Sequence, residues 1–294
     1  MTATERAATG RIDWNRLFAN PVHLKLYVMC TGEVHAMGNV HYNPKSPKFK
    51  AMPAEKRFNP VLAFLVERPG KELLLLDTGL HHSFGQSRFG NFGPILGSMV
   101  KGKAGAEMDV RSQLRSIGVA IDDIHCVFLS HLHLDHPSGL PYFAGVRNLK
   151  VYVDESETIA ANAPLGFLKG YVKKHVKGID LSPIPYSTGA TPFERFWDFF
   201  GDGSTIVVHT PGHTEGHSSV ILNATDGPIL LTFDAVHRRS NLEHGIPPSG
   251  DYRKAAESMR NIESFLRDFP KTRVIFGHDP DQLGTLILAP KYYS

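Results

Sequence analysis

The order of apolar and polar segments predicts an α/β chain in which two β-sheets pack face to face between outer layers of helix. Three observations carry this. Strands, a helix and a further strand follow one another in the first half, and the same order returns in the second. With 294 residues, 41% of them hydrophobic and 21% charged, the chain has an ordinary globular composition and enough length for a large two-layer core. No internal repeat interrupts the pattern, so one domain over residues 21–294 is expected, preceded by a leader over 1–20.

The leader is polar, with Glu5, Arg6, Arg11 and Asp13 where a signal peptide would carry an apolar stretch. Trp14, Leu17 and Phe18 give it a means of docking on the body or on a second subunit. Residues 22–30 alternate as a strand should, and the Gly-, Pro- and Asn-rich segment 32–53 reads as a loop on the rim of a site. Strands at 61–67 and 72–77 are joined by the turn Arg68-Pro69-Gly70-Lys71. Segment 81–105 carries Phe84, Phe89, Phe92, Ile95, Leu96 and Met99 without a clean period. It is long for a loop, which suggests a lid, a pocket wall or a dimer contact. A helix over 108–117 follows, with Val110, Leu114 and Ile117 on one face and Gly118 as its stop.

A strand over 121–129 comes next, and Pro137 suits the first position of a helix opened by Ser138-Gly139-Leu140. After a strand at 149–153, Asp154 to Glu157 have N-cap character before a helix at 158–163. Residues 164–200 are rich in aromatics, to be shared between core and an apolar pocket. Strands at 204–209, 218–223 and 228–233 precede an amphipathic helix over 252–268, with Ala256, Met259, Ile262, Phe265 and Leu266 on one face. The last strand covers 273–276.

Several function classes are disfavoured. The net charge of +3 is spread too thinly for a nucleic-acid footprint, and Lys173, Lys174 and Lys177 read as a solvated helix face. No apolar run reaches the roughly 18 residues a membrane helix requires. Cys30 and Cys126 lie in apolar strands and read as small buried hydrophobes, so a reducing cytoplasm is the expected compartment.

Chemistry concentrates where the 121–129 strand ends, in Ser130-His131-Leu132-His133-Leu134-Asp135-His136. Along an extended chain His131 and His133 point one way while Leu132 and Leu134 point into the core, and the turn at Asp135-His136 brings two more donors beside them. Four such side chains at a strand end would be costly to desolvate unpaired. Imidazole and carboxylate without thiolate suit zinc, with iron, manganese or cobalt as alternatives. Three further donors also sit at strand ends: His213 in Pro-Gly-His-Thr-Glu-Gly-His, Asp234 after Leu230-Leu231-Thr232-Phe233, and His278 after Val274-Ile275-Phe276-Gly277. With metal-activated water no serine or cysteine nucleophile is needed, and the constellation offers no separate base to activate one, so it reads as a metal-dependent hydrolase.

The His-x-His-x-Asp-His run resembles the signature of the metallo-β-lactamase superfamily, and the later donors follow in that family's order. The resemblance extends from Val22 onward and implies the four-layer αβ/βα fold. It further implies that His131, His133 and His213 hold one metal ion and Asp135, His136 and His278 a second, with Asp234 bridging. Two zinc ions about 3.5–4 Å apart would share a hydroxide as the attacking group. Asp135 would pass the proton to the leaving group. Asp77, in Asp77-Thr78-Gly79, would either orient a ligand histidine or form an ordinary turn, and His217 would lie outside the ligand set.

Within the superfamily the chain most resembles the N-acyl homoserine lactonases that quench quorum sensing. The basis is Thr232-Phe233-Asp234-Ala235, Gly277-His278-Asp279 with Gln282, and the helix over 252–268 between them. The implied substrate is a small lactone with an apolar acyl chain, held by residues 84–99 and 193–200. There are two departures. His237 stands where many family lactonases carry a substrate-binding Tyr, and is a candidate donor to the developing oxyanion. Pro137-Ser138-Gly139 replaces the usual Ala-Gly-Gly. A glyoxalase II-like thioesterase would use the same ligands with a basic patch near the C-terminus, of which Lys291-Tyr292-Tyr293 is a weak echo, and a phosphotriesterase is open to the same chemistry. The leader and the Phe-rich segment fit a homodimer.

Overall fold

A computed structural model describes residues 11–87 and 89–294; the first ten residues of the expected leader, and Arg88, lie outside the described residues. One sheet comprises β1 (Lys25–Met37), β2 (Lys56–Glu67), β3 (Leu73–Leu76), β4 (Lys101–Lys103), β5 (Cys126–Phe128), β6 (Lys150–Val153) and β7 (Leu181–Pro183), in the spatial order β4-β1-β2-β3-β5-β6-β7. The other comprises β8 (Ser187–Ala190), β9 (Phe193–Asp198), β10 (Thr205–His209), β11 (Ser218–Ala224), β12 (Gly227–Phe233) and β13 (Arg273–Phe276), in the order β13-β12-β11-β10-β9-β8. The α-helices are α1 (Trp14–Phe18), α2 (Ser83–Gln86), α3 (Gly93–Met99), α4 (Val110–Ser116), α5 (Glu155–Asn162), α6 (Arg239–His244), α7 (Tyr252–Asp268) and α8 (Pro280–Leu283).

Period-two patterning sorts the strand side chains into three apolar layers. Leu26, Val28, Leu74, Leu76 and Phe128 point inward to meet Val220, Leu222, Leu231 and Phe233 between the sheets. The alternate residues Tyr27, Met29, Leu75 and Val127 point outward, under Val110 and Leu114 of α4 and Ala161 of α5. Across the molecule Ile221 and Leu230 pack under Met259, Ile262 and Phe265 of α7. Full burial of Ile262 and Phe265 contributes on the order of 1.5–3 kcal/mol each. This is the expected α/β architecture: helix, sheet, sheet, helix.

The described part of the leader docks on the body. Asp13 caps α1 by accepting from Arg16 N, and Trp14 meets Phe265 edge-on with ring centroids 5.2 Å apart.

Three local expectations need correction. The first strand continues past residue 30 to Met37, through an irregularity between Cys30 and Gly32, because residues 33–35 pair with both β2 and β4 and that ladder outweighs the loop-like composition. The strand leading to the histidines is only Cys126–Phe128; residues 121–123 form a 3-10 turn in which Asp123 accepts from Ala120 N. Pro137 opens no helix. The chain turns there, and a 3-10 turn begins only at Leu140.

The topology determines where a site can form. β3, β5 and β6 are parallel, as are β12 and β13, and two antiparallel steps make β10 parallel to β12. The carboxyl ends of β3, β5, β10, β12 and β13 therefore open toward one edge of the sandwich, the usual place for a ligand in α/β sheets.

Candidate metal centre

Each donor-bearing loop leaves one of those strand ends. His131, His133, Asp135 and His136 follow β5, His213 follows β10, Asp234 follows β12 and His278 follows β13. The loops are joined by backbone bonds, with Ser218 N donating to Ser130 O at 3.0 Å and His278 N to His237 O at 2.9 Å. Gly277 permits the approach at the site, and Gly212 lets the His213 loop close on α7. A Cβ on Gly277 would lie 2.5 Å from Phe233 O and 2.7 Å from Asp234 Oδ1. A Cβ on Gly212, where φ is +137°, would lie 2.2 Å from Ala255 N, so this glycine allows contact with α7 rather than with the site itself.

The seven donors form two sets around Asp234. His131, His133 and His213 bring donor atoms within 4.8 Å of one another, as do Asp135, His136 and His278. Asp234 faces both, with Oδ2 at 3.2 Å from His213 Nε2 and 3.8 Å from His131 Nε2, and Oδ1 at 3.2 Å from His278 Nε2 and 3.5 Å from His136 Nε2. Asp135 reaches the second set with Oδ2 at 3.5 Å from His278 Nε2.

The remaining ring nitrogens are held from behind. His136 Nδ1 donates to Asp77 Oδ2 at 2.7 Å, His278 Nδ1 to Pro60 O at 2.8 Å and His213 Nδ1 to Ser249 O at 3.1 Å. Asp77 also accepts from Ser130 N and Ser130 Oγ, both at 2.7 Å, and Ser130 Oγ lies 3.1 Å from His131 Nδ1. One buried carboxylate thus orients a histidine of each set, directly or through a hydroxyl, which favours the orienting reading of Asp77 over a plain turn. Such partners leave Nε2 of His131, His136, His213 and His278 with its lone pair toward the cavity, while His133 turns Nδ1 inward, 2.8 Å from His213 Nε2.

The donor set fits divalent metal ions. His131 Nε2, His136 Nε2 and Asp234 Oδ1 are buried without a hydrogen-bond partner, a costly arrangement unless they bind something. Burial keeps His131 and His213 well below the usual histidine pKa and lowers that of His133 to about 4, so these imidazoles are neutral, as ligands must be. Burial also works against charge on His136, yet Asp234 and Asp135 hold its pKa well above the usual value. The acidic pair attracts there, as a proton, the positive charge that a cation would supply.

His217, outside the ligand set, has a definite task. Its Nε2 accepts from Asp234 N at 3.0 Å while its Nδ1 meets Thr210 Oγ1 at 2.9 Å, fixing the start of the turn that carries Asp234. His237 lies with Nε2 at 3.1 Å from Asp234 Oδ2, so the structure brings it to the centre. Phe233 and Asp77, beside the donors, both have positive φ, of 45° and 53°.

Three residues with structural parts were not singled out for them in the sequence. Glu157, within the segment assigned to a helix start, accepts from Leu132 N at 2.9 Å and Gly216 N at 3.0 Å, clamping two donor loops together. A buried glutamate in a short helix has no sequence signal that separates it from an exposed one. Ser138 Oγ donates to Asn91 Oδ1 at 2.8 Å and Asn91 Nδ2 donates to Ser138 O at 2.7 Å, tying segment 81–105 to the donor loop. That segment packs Phe84 and Phe92 with Val61 and Leu80, and Leu134 lies against the cluster. The other expected wall is core instead. Phe193 and Phe196 are buried under α7, and Trp197, Phe199 and Phe200 pack against the inter-sheet layer.

Comparison with known proteins accords with this geometry. The family model described as Metallo-beta-lactamase superfamily matches residues 57–278. An N-acyl homoserine lactonase of a Bacillus species is 28% identical over 246 residues, which cover 82% of this chain and 89% of that protein. The N-acyl homoserine lactonase AttM of Agrobacterium fabrum is 30% identical over 187 residues, covering 62% and 68%. A solved N-acyl homoserine lactone hydrolase, with the product N-hexanoyl-L-homoserine at its catalytic metal centre, superposes with a TM-score of 0.76 at 23% identity, covering 93% of this chain and all 100% of that one. The dizinc quorum-quenching lactonase AidC superposes at 0.62 with 18% identity, covering 93% and 94%. With the family model spanning most of the chain and the donors gathered as its fold requires, the protein belongs to the metallo-β-lactamase superfamily and is a metal-dependent hydrolase.

Proposed function

We propose that the protein opens the lactone ring of N-acyl homoserine lactones with two divalent metal ions, zinc by the donor chemistry, held by His131, His133 and His213 on one side and Asp135, His136 and His278 on the other, with Asp234 between them. The observation that carries this is the pair of donor sets sharing one carboxylate, in a chain whose relatives over most of its length are named as lactonases of this class. Bound zinc supplies water acidified to a pKa of about 7 and Lewis acidity toward an ester carbonyl.

The chain's own residues supply the rest. Asp135 is the most solvent-accessible carboxylate of the centre, with its side chain 14% exposed, and is placed to hold a proton and deliver it to the departing ring oxygen. His237 offers a hydrogen bond to the carbonyl oxygen. The acyl chain runs along α3, where Ile95 and Met99 are 55% and 73% exposed beside the cluster that includes Leu134. The C-terminal echo of a thioesterase lies away from the site. Tyr293 pairs with Leu26 at the end of β1 that lies alongside Glu67 and Leu73, the opposite end of the sheet from the donors.

Ring opening adds water across the ester and yields an alcohol and a carboxylic acid, which releases a proton near neutral pH. Proton release from lactones of short to long acyl chain by zinc-loaded protein is the test. Turnover that vanishes in Asp234→Ala supports the reading; no turnover with two metal equivalents bound refutes the substrate class.

A further inference from the structure

The first sheet does not stop at the donors. Pro60 O, on β2, holds His278 from behind, and the strand begins four residues earlier, so the arm formed by β1 and β2 runs about 13 Å past the centre on the edge where the donors lie. β4 pairs along the outer side of this arm. Residues directly opposite one another in a sheet share a face. On one face Met37 lies opposite Lys56, His35 opposite both Phe58 and Lys101, and Glu33 opposite Lys103. The side chains follow that register. The rings of His35 and Phe58 stack with centroids 4.6 Å apart, and Lys103 Nζ sits 4.1 Å from the Phe58 ring centroid.

No layer of the described residues covers this face. Met37 and Phe58 are 41% and 36% exposed, and the exposed Met99 of α3, two residues before β4 begins, extends the apolar strip. Lys56 and Lys101 are exposed with no ion pair among the described residues, and Lys103 has only Glu33, at 4.0 Å. Single exposed apolar residues are ordinary, but adjoining ones interleaved with unpaired lysines call for a partner.

The chemistry selects among three occupants. A second copy docked about a two-fold axis would bring the patch against itself, setting Lys56, Lys101 and Lys103 against their own copies. A protein partner would have to desolvate those ammonium groups, and the centres of protein interfaces are depleted in lysine. An anionic bilayer requires neither. Met and Phe side chains enter the boundary of the acyl layer, lysine stems lie along it, and the ammonium groups stay among the headgroup phosphates. Contact of this kind is adsorption and needs no spanning segment; among the described residues no helix is long and apolar enough to cross a membrane.

We propose that the face carried by residues 33–37, 56–58 and 99–103 adsorbs to anionic phospholipid surfaces. Adsorption turns the α3 side of the metal centre toward the lipid, where a long-chain acyl lactone concentrates because its methylenes partition out of water. That consequence rests on the lactonase reading; adsorption itself does not.

The test is sedimentation of zinc-loaded protein with vesicles of mixed phosphatidylglycerol and phosphatidylcholine, and with vesicles of phosphatidylcholine alone. Binding is expected to the first only, and should vanish at about 0.5 M salt, where surface charge is screened. One lysine near such a surface is worth about fivefold in partitioning, so Lys56→Glu, Lys101→Glu and Lys103→Glu together should weaken binding about a hundredfold. Lys174→Glu with Lys177→Glu, on the other exposed lysine cluster, should leave it unchanged. Met37→Trp, after subtraction of the parent's Trp14 and Trp197 emission, should shift to shorter wavelength when anionic vesicles are added, and this readout decides alone if the glutamate variants fail to fold. Failure to bind anionic vesicles, equal losses in the two lysine sets, or an unmoved Met37→Trp emission overturns the proposal. Equal binding to soluble polyglutamate would give the face to an acidic polypeptide, and a dimer dissociated by Met37→Ser would give it to a second copy; either result overturns it as well. Lactone turnover enters none of these readouts, so a failed substrate reading is told apart from failed adsorption.

Discussion

Asp77→Asn tests how far the centre depends on the groups behind its donors. Asp77 Oδ2 accepts two bonds, from Ser130 Oγ and His136 Nδ1, both at 2.7 Å, while Oδ1 accepts from Ser130 N. In asparagine one oxygen becomes an NH2 group. Pointed at His136 it opposes an N–H; flipped, it opposes Ser130 N–H. The way out is for His136 to move its proton to Nε2, which removes the lone pair facing Asp135 and His278. A hydrogen bond to a charged acceptor is worth about 1.5–3 kcal/mol, or one to two decades in affinity at about 1.4 kcal/mol per decade. The loss should fall on the Asp135–His136–His278 side, because the link to His131 runs through the Ser130 hydroxyl, which can rotate. Asparagine tolerates the positive φ of 53° at this position, so the backbone should be undisturbed. Metal content measured against increasing chelator should show one equivalent leaving Asp77→Asn at a ten- to hundredfold lower chelator concentration, with the other retained as in the parent. Equal retention of both equivalents would refute the argument.

Two further outcomes follow from groups outside the donor set. Glu157→Gln leaves Leu132 N–H or Gly216 N–H facing an amide instead of a carboxylate oxygen, which should cost about 2 kcal/mol and lower Tm by roughly 5 °C; an unchanged melting curve would show that the clamp carries no weight. His175, whose Nε2 lies 3.1 Å from Asn91 O, has its pKa pushed down to about 3 by burial. The folded protein thus keeps this ring neutral while the unfolded chain protonates it below about 6.5, so its stability contribution is complete above that pH and declines as pH falls toward 3. His175→Gln should reduce the dependence of unfolding free energy on pH by about 1 kcal/mol per unit between pH 6 and 5, and chemical denaturation at several pH values would reveal an unaltered slope if the imidazole were not the cause.

Much of this protein is determined by short-range pattern. The bounds of α7 and of β13 are legible to the residue, because a 3.6-residue apolar stripe opened by Asp251 and the apolar run Val274-Ile275-Phe276 leave little competing choice, although the small residue that α7 buries is Ala255 and not the expected Ala256, one position round the helix. The seven donors are legible for a related reason: each sits where an apolar strand ends in a residue that is expensive to bury alone, a local signal that does not depend on the partner. What acts between segments distant in sequence is not visible in this way. The extension of β1 to Met37 depends on pairing with β2 and β4, and the aromatics of β9 become core only because α7 lies over them. The clamp at Glu157, the tie between Ser138 and Asn91, and the contact between His41 and His237 each join residues 25 to 196 positions apart that carry no shared periodicity. Local sequence supplies the metal donors and the strands that end in them. The direction in which each imidazole presents its lone pair is set by hydrogen bonds that form only once the two sheets have packed.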